Sequence, residues 1–356
     1  MIIRLIRLVL IVLLLVALLV MMIAKTYIYN NLHYDDQRLK RTRRASFREK
    51  QVRLPDRSVL CYAEGPKKGP PLLLLHDVGM CWEDFDAVLP DLAKNYHVFA
   101  VDRFGHGGST QDSQLYSCVA EGEALLSFIE HVIGLPCFLA GHGTGGVLAA
   151  WMAANSPTWV KGLLLENPPL FRSTPTEMKK EDGCILWNDL CRPVHQFLHQ
   201  GTESDYAIYY VKHGYRFQSY GGMRDRVVYW AEQYRKQHPA GPLKLRYIPY
   251  GHLHALYYLD RWDLAWGESL YTGRWLRKIR QDTLLKSITC PVALLKSTVR
   301  YDRDGVLCAA NSVKDTERVE QLLPRGETVN CKCGHTVHAE KPRRFLTALD
   351  RLRIKC

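Results

Sequence analysis

The chain has no Asn-x-Ser/Thr acceptor and no recognisable nucleic-acid-binding motif, and it is short of acidic residues. The missing acceptor is consistent with a domain that is not secreted. With 36 Asp and Glu against 48 Lys and Arg, the net charge is +12. Much of that excess is local. Arg38, Lys40, Arg41, Arg43, Arg44, Arg48, Lys50 and Arg53 crowd the segment 37–53, and no motif there points to RNA or DNA, so nucleic acid is not an expected partner. The 11 cysteines are odd in number and scattered through apolar runs, as at Cys61, Cys137 and Cys290. That favours reduced, buried thiols over a disulfide framework. At 356 residues the chain is long enough for one large α/β domain with an insertion, or for two domains.

What is present begins with an uninterrupted apolar run from Leu8 to Ala24, flanked by Arg4, Arg7 and Lys25 and followed by Tyr27 and Tyr29. A bilayer core about 30 Å thick needs about 20 such residues, so residues 1–30 read as one spanning helix. The run is longer than a signal-peptide core, and no small-residue cleavage site follows it. Basic residues are denser after the span, in 31–50, than before it. The lipid bilayer is therefore a partner, with the globular part on the cytoplasmic or matrix side. The Arg-rich, acid-poor stretch 37–54 makes a mitochondrial inner membrane the favoured location; a basic flank that merely orients the span is the simpler reading.

Further on, a short apolar run (Cys137–Ala140) reads as a buried strand, Gly141 to Gly146 as a Gly-rich turn, and Val147 to Ala154 as a buried helix. Strand, sharp turn and helix make the setting of a G-x-S-x-G nucleophile elbow. Gly141 and Gly145 are in place, but the central position is Gly143. An elbow residue sits at positive φ, which costs a residue with a Cβ about 1–3 kcal/mol and costs glycine nothing comparable. Gly143 thus removes the attacking atom and relaxes the turn together.

Around the elbow, a hairpin in 51–64 and strands at 70–76, 96–102 and 160–166 alternate with helices at 82–94 and 115–133. This is the pattern of a mostly parallel sheet covered on both faces. Four segments carry a resemblance. Asp102–Ser109 is similar to a D-x-x-G-x-G-x-S loop, Leu72–Asp77 to the strand that leads to an oxyanion loop, Lys286–Leu295 to a late acid-bearing strand, and Gly334-His335 with Glu340 and Pro342 to a G-H-x-x-x-x-E-x-P histidine segment. Together with the elbow they resemble the α/β-hydrolase family. The resemblance implies that family's fold, a core at 51–167 and 286–356, and a helical cap at 168–285.

It also implies triad positions at Gly143, Asp302 and His335, with an oxyanion loop at His76, Asp77, Val78 and Thr144. The set is degenerate. The base His335 remains and the nucleophile does not. Arg300 falls where the acid belongs, leaving Asp302 or Asp304 to substitute through a loop shift, although both read more simply as solvated loop acids. Asp77 stands where the family usually has Gly. A carboxylate turned into the site would oppose a developing oxyanion, and one turned away would not. Thr144 heads a helix and reads as a helix-end hydroxyl rather than a displaced nucleophile. Cys331, Cys333 and His335 have no second ligand pair nearby and suit no common zinc knuckle, so no metal and no cofactor are expected. His142 has no special role in this reading.

Three functions compete. The first is an inactive membrane-anchored relative that serves as an accessory subunit, its partners docking on the Tyr-, Trp- and Arg-rich cap. The second is an active membrane-bound esterase or lipase with an atypical nucleophile. The third is a receptor for a small hydrophobic ligand under the cap, a reading that rests on fold-level analogy alone.

Overall fold

The computed structural model describes residues 2–180 and 183–356; Glu181 and Asp182, inside the expected cap, lie outside the described residues. Eight strands form one sheet in the order β1-β2-β4-β3-β5-β6-β7-β8. β1 (Arg48–Arg53) and β2 (Val59–Glu64) are an antiparallel hairpin. β2 is antiparallel to β4 (His97–Val101), and every later pairing is parallel, through β3 (Pro71–Leu75), β5 (Cys137–His142), β6 (Val160–Glu166), β7 (Val292–Lys296) and β8 (Gly326–Asn330). The central strands are buried on both faces, which is why β3 reads as an unbroken run of Leu. One face packs against the helices Cys118–Phe128 and Thr144–Asn155, and the other against Pro342–Ile354 through Phe345, Leu349 and Leu352.

Some elements differ from the sequence expectation. The helix expected over 82–94 is a 3₁₀ turn (Trp82–Ala87) followed by one α turn (Leu89–Leu92). Pro90 disfavours helical geometry at residue 89, and the Trp82 amide donates to Asp102 Oδ1 at 2.7 Å instead of starting a longer helix. The helix expected over 115–133 starts later, where Ser117 accepts from the Ala120 amide, and it ends in a wide turn closed by Gly134 at φ +68. β8 was not anticipated. It is a largely exposed edge strand, so it has no apolar run to reveal it.

The first helix, α1 (Ile2–Leu32), is exposed along its apolar length and is long and apolar enough to cross a membrane. Its carboxyl end is seated in the protein. Tyr27 Oη donates to the Ile248 carbonyl at 2.5 Å, and Asn31 Nδ2 donates to the carbonyls of Leu245, Arg246 and Ile248 at 3.0–3.3 Å. A second helix, α2 (Tyr34–Arg44), carries the first part of the basic segment. Arg38 in it is a packing residue and not a solvated charge. It reaches Asp86 Oδ2 at 2.9 Å, the Glu83 carbonyl at 2.7 Å and Tyr258 Oη at 3.0 Å. Arg41, Arg43 and Arg44 face solvent. Between β6 and β7 the described chain is helices, turns and isolated bridges, among them helices Arg224–Gln237, Tyr250–Tyr258 and Leu264–Tyr271. The insertion's aromatics are mostly interior: Tyr206, Tyr209, Tyr210, Tyr257, Tyr258, Trp262 and Trp266 are buried, whereas Tyr229 and Tyr247 are exposed.

Candidate functional site

Of the expected site residues, His76, Asp77, Val78, Gly143, Thr144 and His335 converge beyond the carboxyl ends of β3 and β5, where open α/β sheets place their ligands. Gly143 leaves β5 at φ +54, ψ −124 and starts the helix Thr144–Asn155. The turn is tight: a Cβ on Gly145 would lie 2.3 Å from the Leu75 carbonyl oxygen. At Gly143 a Cβ would lie 2.1 Å from Cγ of Asp77. The side chain that an elbow nucleophile would carry is therefore excluded by a carboxylate already in its place.

Asp77 is turned into the site. Its Oδ1 accepts from the Val78 amide at 2.8 Å, the Thr144 amide at 2.7 Å and Thr144 Oγ1 at 2.9 Å. The amide after the elbow and an amide of the loop after β3 are the donors that would hold an oxyanion in this fold. Here a carboxylate oxygen of the same chain occupies both. The other oxygen, Oδ2, meets His335 Nε2 at 3.0 Å. Burial works against the charge, but the His335 hydrogen bond, the neighbouring His142 and His335 and the Thr144 amide outweigh it and hold Asp77 below the usual carboxylate range.

The supports of this arrangement are buried. His76 Nε2 accepts from the Arg103 amide at 3.0 Å, which leaves its Nδ1–H to donate to the Asp77 carbonyl at 2.7 Å. Burial and the Arg103 charge push the His76 pKa down to about 3, so this imidazole is neutral. Arg103, itself 1% exposed, donates to Thr144 Oγ1 at 2.8 Å and to Glu121 Oε2 at 2.9 Å. Glu121 Oε1 in turn accepts from the indole N–H groups of Trp266 and Trp275. Thr144 Oγ1 is fully buried between Arg103 and Asp77, which is a structural role and not that of a nucleophile.

A second layer lies directly beneath. His142 and Glu166 are register partners at the ends of β5 and β6. His142 Nδ1 meets Asp84 Oδ2 at 2.8 Å, and His338 Nδ1 meets Glu166 Oε2 at 2.8 Å. His338 Nε2 donates to the Asp84 carbonyl at 2.9 Å, and its amide donates to Glu166 Oε1 at 2.9 Å. All four side chains are buried. Burial lowers the His338 pKa, but the charges of Glu166 and Asp84 more than offset this and raise it well above the ordinary value. Burial opposes the Asp84 charge too, yet His142 and His338 hold that carboxyl well below the usual range. His254 extends the cluster towards the amino terminus. Its Nε2 lies 3.8 Å from Asp84 Oδ1 and its Nδ1 bonds the Tyr34 hydroxyl of α2.

Several expectations are corrected. Asp302 does not stand behind His335. Its Oδ2 accepts from Tyr215 Oη at 2.5 Å and its Oδ1 from the amides of Asp304 and Val306, so it stabilises its own turn. The carboxylate that reaches His335 is Asp77, from the oxyanion loop. His142 is not incidental, because it sits between the two carboxylate–histidine layers. The Cys331 thiol is pushed up by burial, and that of Cys333 rises to about 11, so neither is a ready thiolate. Asn167, at φ +45, was missed. Its Nδ2 donates to the His335 carbonyl at 2.5 Å and its Oδ1 accepts from the Ser297 amide at 2.9 Å, tying the histidine loop to the sheet. A sequence signal did exist for the buried layer: Glu166 directly follows the apolar run Leu163–Leu165 of a core strand, and a charge there needs a buried partner.

As candidate metal ligands, Asp77, His142 and His335 each place one ligand atom within 4.8 Å of the other two, as do Asp84, His142 and His338, and separately His195, His199 and Glu268.

A family model described as "Alpha/beta hydrolase family" matches residues 72–348. The chain is 33% identical over 94 residues to the magnesium-chelatase 30 kDa subunit of Rhodobacter capsulatus, covering 26% of this chain and 33% of that protein. It spans only about a third of the length of that relative, and its similarity to solved structures is one of fold. A lipase structure from Acinetobacter baumannii AYE superposes with a TM-score of 0.61 at 20% identity, over 91% of this chain and 97% of the other. A bacterial membrane phospholipase A superposes with a TM-score of 0.58 at 23% identity, over 98% and 99%.

Proposed function

The chain belongs to the α/β-hydrolase family, and from that premise we propose that it is a membrane-anchored member without acyl-transfer activity, serving as an accessory subunit of a membrane assembly. The observation that carries this reading is the Asp77 carboxylate, which fills the space of the nucleophile's side chain and accepts both amides of the oxyanion hole. An acyl group entering there meets a negative charge where its own oxyanion would form. Thr144 Oγ1 does not replace the lost hydroxyl, since it is committed to Asp77 and Arg103.

Three features support the accessory role. α1 is hydrogen-bonded to the insertion through Tyr27 and Asn31, which ties the domain to the proposed span. Tyr229 and Tyr247 remain exposed on the same insertion, in the manner of interface aromatics. The Rhodobacter relative is itself named as a subunit. Dense basic charge after α1 supports a cytoplasmic or matrix side for the globular part, with the mitochondrial inner membrane the favoured organelle where the source has one.

After extraction in mild detergent, native electrophoresis should show the chain migrating with a complex much larger than its 40.9 kDa. Migration as a monomer with a co-purified lipophile would favour the receptor reading instead. The full chain should also stay in the membrane pellet through alkaline carbonate extraction, and a variant lacking residues 2–24 should be released. Release of the full chain would remove the anchor from this account.

A further inference from the structure

The buried layer contains an imperfection that the loss of acyl-transfer chemistry does not explain. His142, 2% exposed, satisfies Nδ1 with Asp84, yet its Nε2 has no hydrogen-bond partner among the described residues. An unpaired ring nitrogen in the interior is costly. With Nδ1–H donating to Asp84, Nε2 has nothing to hydrogen-bond, and once its proton is displaced its lone pair is open to a metal. On one side of His142 lie Asp77 and His335, the histidine ring with its centroid 4.7 Å away.

From this geometry we infer that Asp77, His142 and His335 form a binding site for a divalent first-row transition metal such as zinc. The three residues offer ligand atoms within 4.8 Å of one another, and Asp77 Oδ2 and His335 Nε2 are already 3.0 Å apart. Around a tetrahedral zinc with bonds of about 2.0–2.1 Å, ligand atoms sit roughly 3.3 Å apart, so small side-chain movements close the set. Two imidazoles and a carboxylate are a donor set that zinc accepts, with a fourth position left open. His335 is half-exposed, and that gives the ion an entry path.

The surroundings are those of a ligand shell. Metal-bound histidines donate their other ring nitrogen to a carboxylate, and metal-bound carboxylates are themselves hydrogen-bonded. His142 Nδ1 is held by Asp84, and Asp77 Oδ1 by two amides and a hydroxyl, which leaves Oδ2 to face the metal. The other two clusters do not compare. In the Asp84–His142–His338 group, the His338 ring nitrogens are engaged by Glu166 and the Asp84 carbonyl. In the His195–His199–Glu268 group, His199 Nδ1 bonds the His195 carbonyl and none of the three residues has an unpaired buried atom.

The test uses the full chain without a His-tag, purified in detergent, stripped with chelator and titrated with zinc or cobalt(II). One equivalent should bind saturably, and the cobalt form should show visible ligand-field absorption. Asp77→Asn and His335→Ala should each weaken binding by at least about tenfold while keeping the far-ultraviolet circular dichroism of the parent. Cys331→Ser with Cys333→Ser should leave binding unchanged. Absence of saturable binding overturns the inference, as does binding indifferent to Asp77→Asn and His335→Ala or lost in the cysteine variant. The outcome is independent of whether the chain reacts with an acyl-transfer probe.

Discussion

Replacing Asp77 by Gly and Gly143 by Ser together is expected to make this chain react with a fluorophosphonate at the new hydroxyl of position 143, whereas Gly143→Ser alone leaves it inert. The single change cannot work because the added Cβ lies 2.1 Å from Cγ of Asp77 and the position holds φ +54. It imposes a clash in addition to a backbone strain of about 1–3 kcal/mol. Removing the carboxylate clears the space, frees the Val78 and Thr144 amides and releases His335. Each restored hole donor is worth on the order of 10²–10³ in rate. Reaction should be slow even so. Asp302 is bound to Tyr215, and an acid behind the base contributes about 10⁴. Intact-mass spectrometry over time reads the difference. Equal labelling of the single and double variants would show that Asp77 does not block the site.

The second large effect lies in the buried layer. Glu166→Gln leaves the His338 imidazolium with Asp84 but without its closest carboxylate, and breaking a buried pair by removing one partner costs about 3–5 kcal/mol. The change should lower the urea midpoint sharply, with little change in slope. The pH dependence follows from the directions of the shifts. His338 is raised, so its contribution is complete below the ordinary histidine value of about 6.5 and is lost as pH climbs through the raised value. Glu166 is depressed, because His338 and His142 outweigh burial, so its contribution is complete above about 4.3 and is lost as pH falls. The gap between parent and variant should therefore be widest between about pH 5 and 6.5 and should narrow in strong alkali. A gap that stays constant from about pH 6 into strong alkali would mean that His338 is neutral in the folded chain.

The central strands were legible because strands buried on both faces must be written as apolar runs, as at Leu72–Leu75 and Leu163–Leu165. The elbow was legible because Gly141 and Gly145 sit where backbone must approach backbone, and Gly143 holds the positive φ between them. β8 was not, since an exposed edge strand has no apolar signature. The direction of Asp77 was not legible either. It depends on which amides lie nearby, and those belong to Val78 and to Thr144, far along the chain. The same holds for Asp302, whose partner Tyr215 comes from the insertion, and for Arg38, which a count of basic residues assigns to solvent but which the fold buries against Asp86 and Tyr258. Charge composition records how many ions a chain has, and only the packed structure records which of them face each other.

The most direct measurement is intact-mass spectrometry of the unaltered chain, in its own membrane and in detergent, after exposure to excess fluorophosphonate. Because a carboxylate fills both the place of the nucleophile and the oxyanion hole, the mass should remain that of the unmodified chain. A stoichiometric adduct, on Thr144 or on any other side chain within reach of His335, would contradict this account.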